Sequence, residues 1–189
     1  MTAEPDWERF FDEIYLESYA GRLHAFDSEA EAKAAVELAG RRPPADVLDC
    51  PCGFGRHSIP IAELGYRVVG VDRSPVMLAE AEEQAGGREW PRFLPADYRE
   101  LPFGSESFDV VLNLFSSIGY FGDEADRVVL GEFRRVLRPG GALILEMMHR
   151  DRLVSIFAER DWRSCRTAAP CSSAAGSIRS RARSRRRTS

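Results

Sequence analysis

With 189 residues, 44% of them hydrophobic and 30% charged, the chain has the balance of one soluble globular domain with a proper core. No apolar run approaches the roughly 20 residues of a membrane span, and the acidic, amphipathic start MTAEPDWERFFDEIY is unlike a signal peptide, so a cytoplasmic protein is expected. The net charge of -4 hides an asymmetry: after Asp161 there is no Asp or Glu, while Arg163, Arg166, Arg179, Arg181, Arg183 and Arg185 to Arg187 follow. An acidic body therefore carries a strongly basic tail.

The elements follow in chain order. Residues 6–20 place Phe10, Phe11 and Ile14 at helical spacing. A second helix is predicted from Ser28, where Ser-Glu-Ala-Glu forms a capping box with Glu31, to Leu38, with Gly40 as its stop. Beyond Pro43 and Pro44, strands and helices alternate. Asp46 to Cys50 reads as a short buried strand, and His57 to Leu64 as a helix ended by Gly65. RVVGVD, 67–72, is a second strand. Ser74 caps the next helix, with Pro75 in its first turn and Met77, Leu78 and Ala81 inward. Arg92 to Ala96 is a weaker strand, and FDVVLNLF, 108–115, a buried one. Asp123 to Leu137 is predicted helical, with Val129, Leu130, Phe133 and Leu137 as its apolar stripe. Pro139, Gly140 and Gly141 end it, and ALILEM forms a fifth strand. This order predicts an α/β fold, a doubly wound, mostly parallel sheet with helices on both faces.

LDCPCGFGRHS, 48–58, joins the first strand to the following helix. Ligands of open parallel sheets bind beyond the carboxyl ends of the strands. Gly53 and Gly55 permit a tight bend and close approach to a ligand, and amides at a helix start favour an anionic group. Asp72 ends the next strand about 20 residues on, where an acidic side chain can take ribose hydroxyls. A nucleoside-containing cofactor follows. A dinucleotide fingerprint needs a third glycine, and Ser58 stands there instead. Cys50 and Cys52 have a spacing that suits small buried side chains better than a metal or a redox pair, and no metal is expected. Asp49 and Asp72 lie in apolar segments, where an unpaired carboxylate is costly. Asp49 either meets the ligand or fixes the glycine loop. His57 caps or packs; His24 and His149 are lone histidines, and His149 after the fifth strand is a candidate base.

The sequence resembles the class I S-adenosylmethionine-dependent methyltransferases over about 46–146. LDCPCGFG, VVGVDRSPVMLAEA, ADYRELPF, SFDVVLNLFSSIGYF and RVLRPGGALILE match that family's blocks in order. The resemblance implies a Rossmann-like methyltransferase fold and S-adenosyl-L-methionine as cofactor, with Asp72 on the ribose, Asp97 accepting from the adenine amino group and Tyr98 flanking the ring. The implied cofactor-binding set is Asp49, Cys50, Gly53, Gly55, Asp72, Arg73, Met77, Asp97, Tyr98 and Asn113; no catalytic residue is named. Asn113, Ser116 and Ser117 would face the methyl group. Tyr15 and Tyr19 would cover the cofactor or pack the first helix, and Arg22 or Arg56 would meet its carboxylate or lie at the surface. Methyltransferases acting on amino groups of nucleic acid bases carry Asn/Asp-Pro-Pro-aromatic where this chain has NLFS, so the expected acceptor is a small molecule, with no membrane partner.

The expected organisation is an N-terminal helical cap over 1–45, a cofactor-binding domain over 46–162 and a basic, disordered tail over 163–189. The family's sheet normally ends in a hairpin of a sixth and a seventh strand. The tail, with Ile178 as its one large aliphatic residue, cannot supply two core strands, so the hairpin is expected to be missing. Two explanations of the tail stand beside each other: a displaced reading frame, or a functional basic segment that makes the protein a nucleic-acid methyltransferase. A non-catalytic fragment that keeps cofactor binding is the further alternative.

Overall fold

The computed structural model describes residues 15–16 and 27–156. The remainder of the helical stretch at 6–20, Tyr19, Arg22, His24 and the basic tail lie outside the described residues. Among the described residues five strands form one sheet: β1 (Asp46–Asp49), β2 (Arg67–Asp72), β3 (Arg92–Pro95), β4 (Phe108–Asn113) and β5 (Leu137–Leu145). Their order is β3-β2-β1-β4-β5, and every pairing is parallel. The chain winds outward from β1 in both directions, so the sheet's switch point lies between β1 and β4. Among the described residues no antiparallel hairpin follows β5.

Among the described residues five helices accompany the strands: α1 (Ser28–Leu38), α2 (Ser58–Glu63), α3 (Pro75–Ala85), α4 (Asp123–Val136) and α5 (Arg150–Ile156). Side-chain alternation along the strands decides where they pack. Val47, Val68, Val110 and Leu112 point to one face and pack with Ala32, Ala35 and Val36 of α1 and Ile61 of α2. Leu48 and Val111 point to the other and meet Val129, Phe133 and Val136 of α4. Each such aliphatic or aromatic side chain contributes about 1.5–3 kcal/mol by leaving water. On the face of α1 and α2, Leu78, Ala81 and Ala85 of α3 pack on Phe93 of β3. Gly70 makes room for that ring: a Cβ there would come within 2.6 Å of Phe93.

Three local expectations change. The cap of α1 is Asp27 rather than Ser28: its carboxylate accepts from the Ala30 amide at 2.9 Å. Glu31 therefore does not close a capping box and is turned toward α2. In α4 the buried stripe is Val129, Phe133 and Val136, while Leu130 is 41% exposed. One residue past Val129, Leu130 is rotated about 100° off that stripe. Leu137 is not helical: it already pairs with Phe108 as the first residue of β5, and Pro139 to Gly141 form an irregularity inside the strand, between the Phe108 and Val110 pairings. Gly140 takes a φ of 75° in that bulge. The cap of α3 agrees with the sequence: Ser74 accepts from the Met77 amide, and Gly86 ends the helix with a φ of 63°.

Candidate functional site

A cavity of about 310 Å³ opens at the carboxyl ends of β1, β2 and β4. Its floor is the bend after β1, from Cys50 to Phe54. One wall is the tip of β2, with Val71, Asp72 and Arg73. The other is the segment after β4, from Leu114 to Ser117, with Tyr98, Tyr120 and Phe121 beside it. The lining is mainly apolar. Asp72 is the one carboxylate among the described lining residues, against Arg56, Arg73 and His57.

The nucleoside-side geometry is set by Asp72. One carboxylate oxygen accepts from the Gly53 amide at 2.9 Å, the other from the Ser74 amide at 2.9 Å. The carboxylate thus ties the bend after β1 to the start of α3. Burial pushes its pKa up, and the amide hydrogen bonds offset only part of that. Gly53 adopts a φ of 54°, and a Cβ built there would meet nothing within 4 Å, so its constraint is backbone conformation beside an open cavity. Gly55 differs. It has a φ of 80°, and a Cβ would lie 2.9 Å from Phe93. Its smallness serves core packing, and it does not line the cavity.

Of the ten expected cofactor residues, Cys50, Gly53, Asp72, Arg73, Met77 and Tyr98 line the cavity. Asp49, Gly55, Asp97 and Asn113 do not. Asp49 is buried and accepts from the Ser58 hydroxyl at 2.6 Å, fixing the start of α2. Desolvation pushes its pKa up. Asn113 is buried and donates from Nδ2 to the Cys50 carbonyl at 2.8 Å, bracing the same bend. Asp97 is gripped by Arg99, whose Nε and Nη2 donate to both carboxylate oxygens, and Arg73 lies 3.6 Å away. Burial works upward on Asp97, but Arg99 holds its carboxyl below the usual range. Cys50 and Cys52 are free thiols that burial keeps protonated. His149 is exposed, away from the cavity lining. Tyr15 does line the cavity.

The β4 side has another construction. Phe115 and Ser116 both lie in the left-handed region, with φ of 61° and 56°, a conformation that costs a non-glycine residue roughly 1–3 kcal/mol. The segment after β5 holds them there. The Phe115 amide donates to the Glu146 carboxylate at 2.8 Å, and the Ser116 amide to the Glu146 carbonyl at 3.1 Å. The Met148 amide donates to the Ser116 hydroxyl at 2.7 Å. Sequence reasoning placed Ser116 and Ser117 here but missed Phe115, Tyr120, Phe121 and the role of Glu146. No local sequence signal marks an L-residue in a left-handed turn.

A family model described as a methyltransferase domain matches residues 47–141. The demethylmenaquinone methyltransferase of Thermus thermophilus is 39% identical over 129 residues, covering 66% of this chain and 57% of that protein. The glycine/sarcosine N-methyltransferase of Parasynechococcus marenigrum is 34% identical over 152 residues, covering 76% of this chain and 54% of that protein. Among solved structures, CalS10 with bound SAM, an amino pentose methyltransferase from Micromonospora echinaspora, superposes with a TM-score of 0.61 at 31% identity, covering 72% of this chain and 57% of that one. The chain spans about half the length of the curated relatives it matches. Sheet order, the cleft at the switch point and a family match over half of its length converge: the chain belongs to the class I S-adenosylmethionine-dependent methyltransferase family.

Proposed function

We propose that the cavity binds S-adenosylmethionine and that the protein transfers a methyl group to a small-molecule acceptor. The observation that carries this reading is the Asp72 carboxylate at the tip of β2, inside the cavity and bonded to the Gly53 amide. An ionised carboxylate has about four acceptor positions. The Gly53 and Ser74 amides each take one oxygen, and the Arg73 amide also bonds the carboxylate, which leaves acceptor capacity for a ribose hydroxyl. Gly53 presents backbone without a side chain beside it, and Met77, Val71 and Tyr98 offer apolar surface for an adenine ring. The donor set therefore fits the cofactor.

When bound, S-adenosylmethionine supplies a methyl group on a sulfonium that is already a good leaving group. The chain's own share is alignment and exclusion of water. Phe115, Tyr120 and Phe121 supply apolar surface around the acceptor, and the Ser116 and Ser117 segment, fixed by Glu146, orients it. This division accounts for legible cofactor motifs without a fixed catalytic triad. A small acceptor is supported by NLFS in place of the Asn/Asp-Pro-Pro-aromatic pattern, and by relatives whose names specify demethylmenaquinone or glycine and sarcosine. The free thiols of Cys50 and Cys52 support a cytoplasmic setting; no helix of the described residues is long and apolar enough to cross a membrane.

Calorimetric titration with S-adenosylhomocysteine and with NAD tests the reading. Binding of the thioether nucleoside is expected, and binding of NAD alone overturns it. Asp72→Ala is expected to weaken that binding by about tenfold or more, near 1.4 kcal/mol; unchanged affinity removes Asp72 from the ribose site.

A further inference from the structure

The two edges of the sheet differ. β3, at one edge, is four residues long, with Pro91 just before it, Arg92 as its first residue and Pro95 as its last. Short length, charge and proline blunt an edge against further pairing. β5, at the other edge, pairs with β4 alone among the described residues. Beyond its irregularity it runs on as ALILEMM, 142–148, with Glu146 as the one charged residue of that run. The Glu146 amide and carbonyl and the Met148 amide bond toward the β4 side. Backbone groups of successive strand residues face opposite edges, so those of Leu143, Leu145 and Met147 face outward. Leu145 and Met147 are 41% and 54% exposed. On the α4 face, Leu130 and Arg134 line a groove together with Leu143. They belong to a stripe of Asp123, Arg127, Leu130 and Arg134, all exposed, whose spacing keeps them on one side of the helix. The first turn of α4 is acidic and its last turn basic.

We infer that a second copy of this chain docks edge to edge on β5. A two-fold axis perpendicular to the sheet runs the two β5 strands antiparallel and joins the two sheets into one. Centred on Ile144, that pairing sets Leu143 opposite Leu145 and Glu146 opposite Ala142. Outward amides then meet outward carbonyls, and no like charges stand opposite each other. The same axis runs the two α4 helices antiparallel, so Asp123 in the first turn of one is directed toward Arg134 in the last turn of the other. Neither residue enters an ion pair among the described residues, whereas Glu124 is paired with Arg127 and Glu132 with Arg135. The Leu130 side chains stand nearer the axis, between the charged ends. A strand edge and a helix stripe are thus self-complementary under one operation, and this favours a second copy over an unrelated partner. The sequence after Ile156 has only Phe157, Trp162 and Ile178 as large apolar residues and offers no alternating run to pair with β5. The docking also bears on the cavity. Glu146 and Met148 hold Phe115 and Ser116, and pairing at Leu145 and Met147 fixes the backbone that carries them.

Sedimentation of the full chain across micromolar concentrations is expected to show a reversible equilibrium of monomer and dimer. In the dimer, the amides of Leu143 and Leu145 are expected to exchange with deuterium about tenfold more slowly than in the dilute monomer. Arg134→Asp sets like charges against each other at both symmetry-related contacts and is expected to weaken the dimer by about tenfold. Asp123→Arg is expected to do the same, and the two substitutions together are expected to restore wild-type dimerisation. Both positions are exposed and neither lines the cavity. A wild-type midpoint in urea, measured where each protein is monomeric, reports an intact fold. A monomer at every concentration overturns the inference, and leaves the edge to a segment of the chain itself or to another protein. A dimer that the single variants leave unchanged, or one with unprotected Leu143 and Leu145 amides, places the contact elsewhere and overturns it as well. Failure of the double exchange to restore the dimer removes the α4 contact, and open-ended polymers in place of a dimer reject the closed two-fold.

Discussion

The two walls of the cavity are built differently. On the β1–β2 side, the shape is local: Asp72 bonds the amides of Gly53 and Ser74, and Ser74 itself caps α3. On the β4 side, Phe115 and Ser116 stand in a conformation that their side chains disfavour, and they are held by Glu146 and Met148 from beyond β5. The first wall is a bend that glycine makes inexpensive. The second stores strain that only tertiary contacts offset. A nucleoside common to a family suits a wall of backbone and one carboxylate, whereas a wall set by contacts between the segments that follow β4 and β5 can be altered without disturbing the first. This contrast predicts that the walls can be damaged independently.

The largest effect is expected at the base of the first wall. Gly55→Val combines a φ of 80° with a Cβ 2.9 Å from Phe93. It is expected to destabilise the protein by about 2–4 kcal/mol, read as a lower midpoint in urea unfolding. Wild-type stability would show that the bend and Phe93 can move apart.

Next comes the pH dependence of the same wall. Asp72 has its pKa raised by burial, and its proposed role needs the ionised form. Affinity for S-adenosylhomocysteine should therefore be full above the raised pKa and fall as pH drops through it, with a midpoint above the ordinary carboxylate range. Asp72→Asn should bind more weakly and lose that dependence. A variant that keeps the wild-type pH profile assigns the titration to another group.

The smallest effect is expected on the second wall. Glu146→Ala removes the acceptor of the Phe115 amide, a loss of about 1 kcal/mol. Hydrogen exchange at the Phe115 and Ser116 amides should accelerate, while affinity for 5′-methylthioadenosine stays as in the wild type. If that affinity falls in parallel, the walls are coupled and the comparison fails.

The difference between the walls also explains what could be read beforehand. RVVGVD was legible as β2 because an apolar run bounded by Gly65 and Ser74 carries its own signals. The bend after β1 was legible because glycine marks positive φ. Leu130 was misplaced because two adjacent apolar residues, Val129 and Leu130, fit a helical stripe equally well, and only the sheet selects between them. The role of Glu31 was hidden because Ser-Glu-Ala-Glu satisfies a capping pattern, while the folded chain uses Asp27 for the cap and frees Glu31 for Arg56 and His57. Asp97 keeps its place in the motif, yet its carboxylate is held by Arg99, two residues on.

The sequence alone determined the order of strands and helices, the parallel sheet and the position of the glycine bend, because these depend on periodicity and on backbone preferences of single residues. Tertiary structure decided which acidic groups face the cavity, which glycine serves packing, and which arginine α1 holds at the cavity wall. Those outcomes depend on contacts between residues far apart in the chain, where a side chain's partner is chosen by the fold and not by its neighbours in sequence.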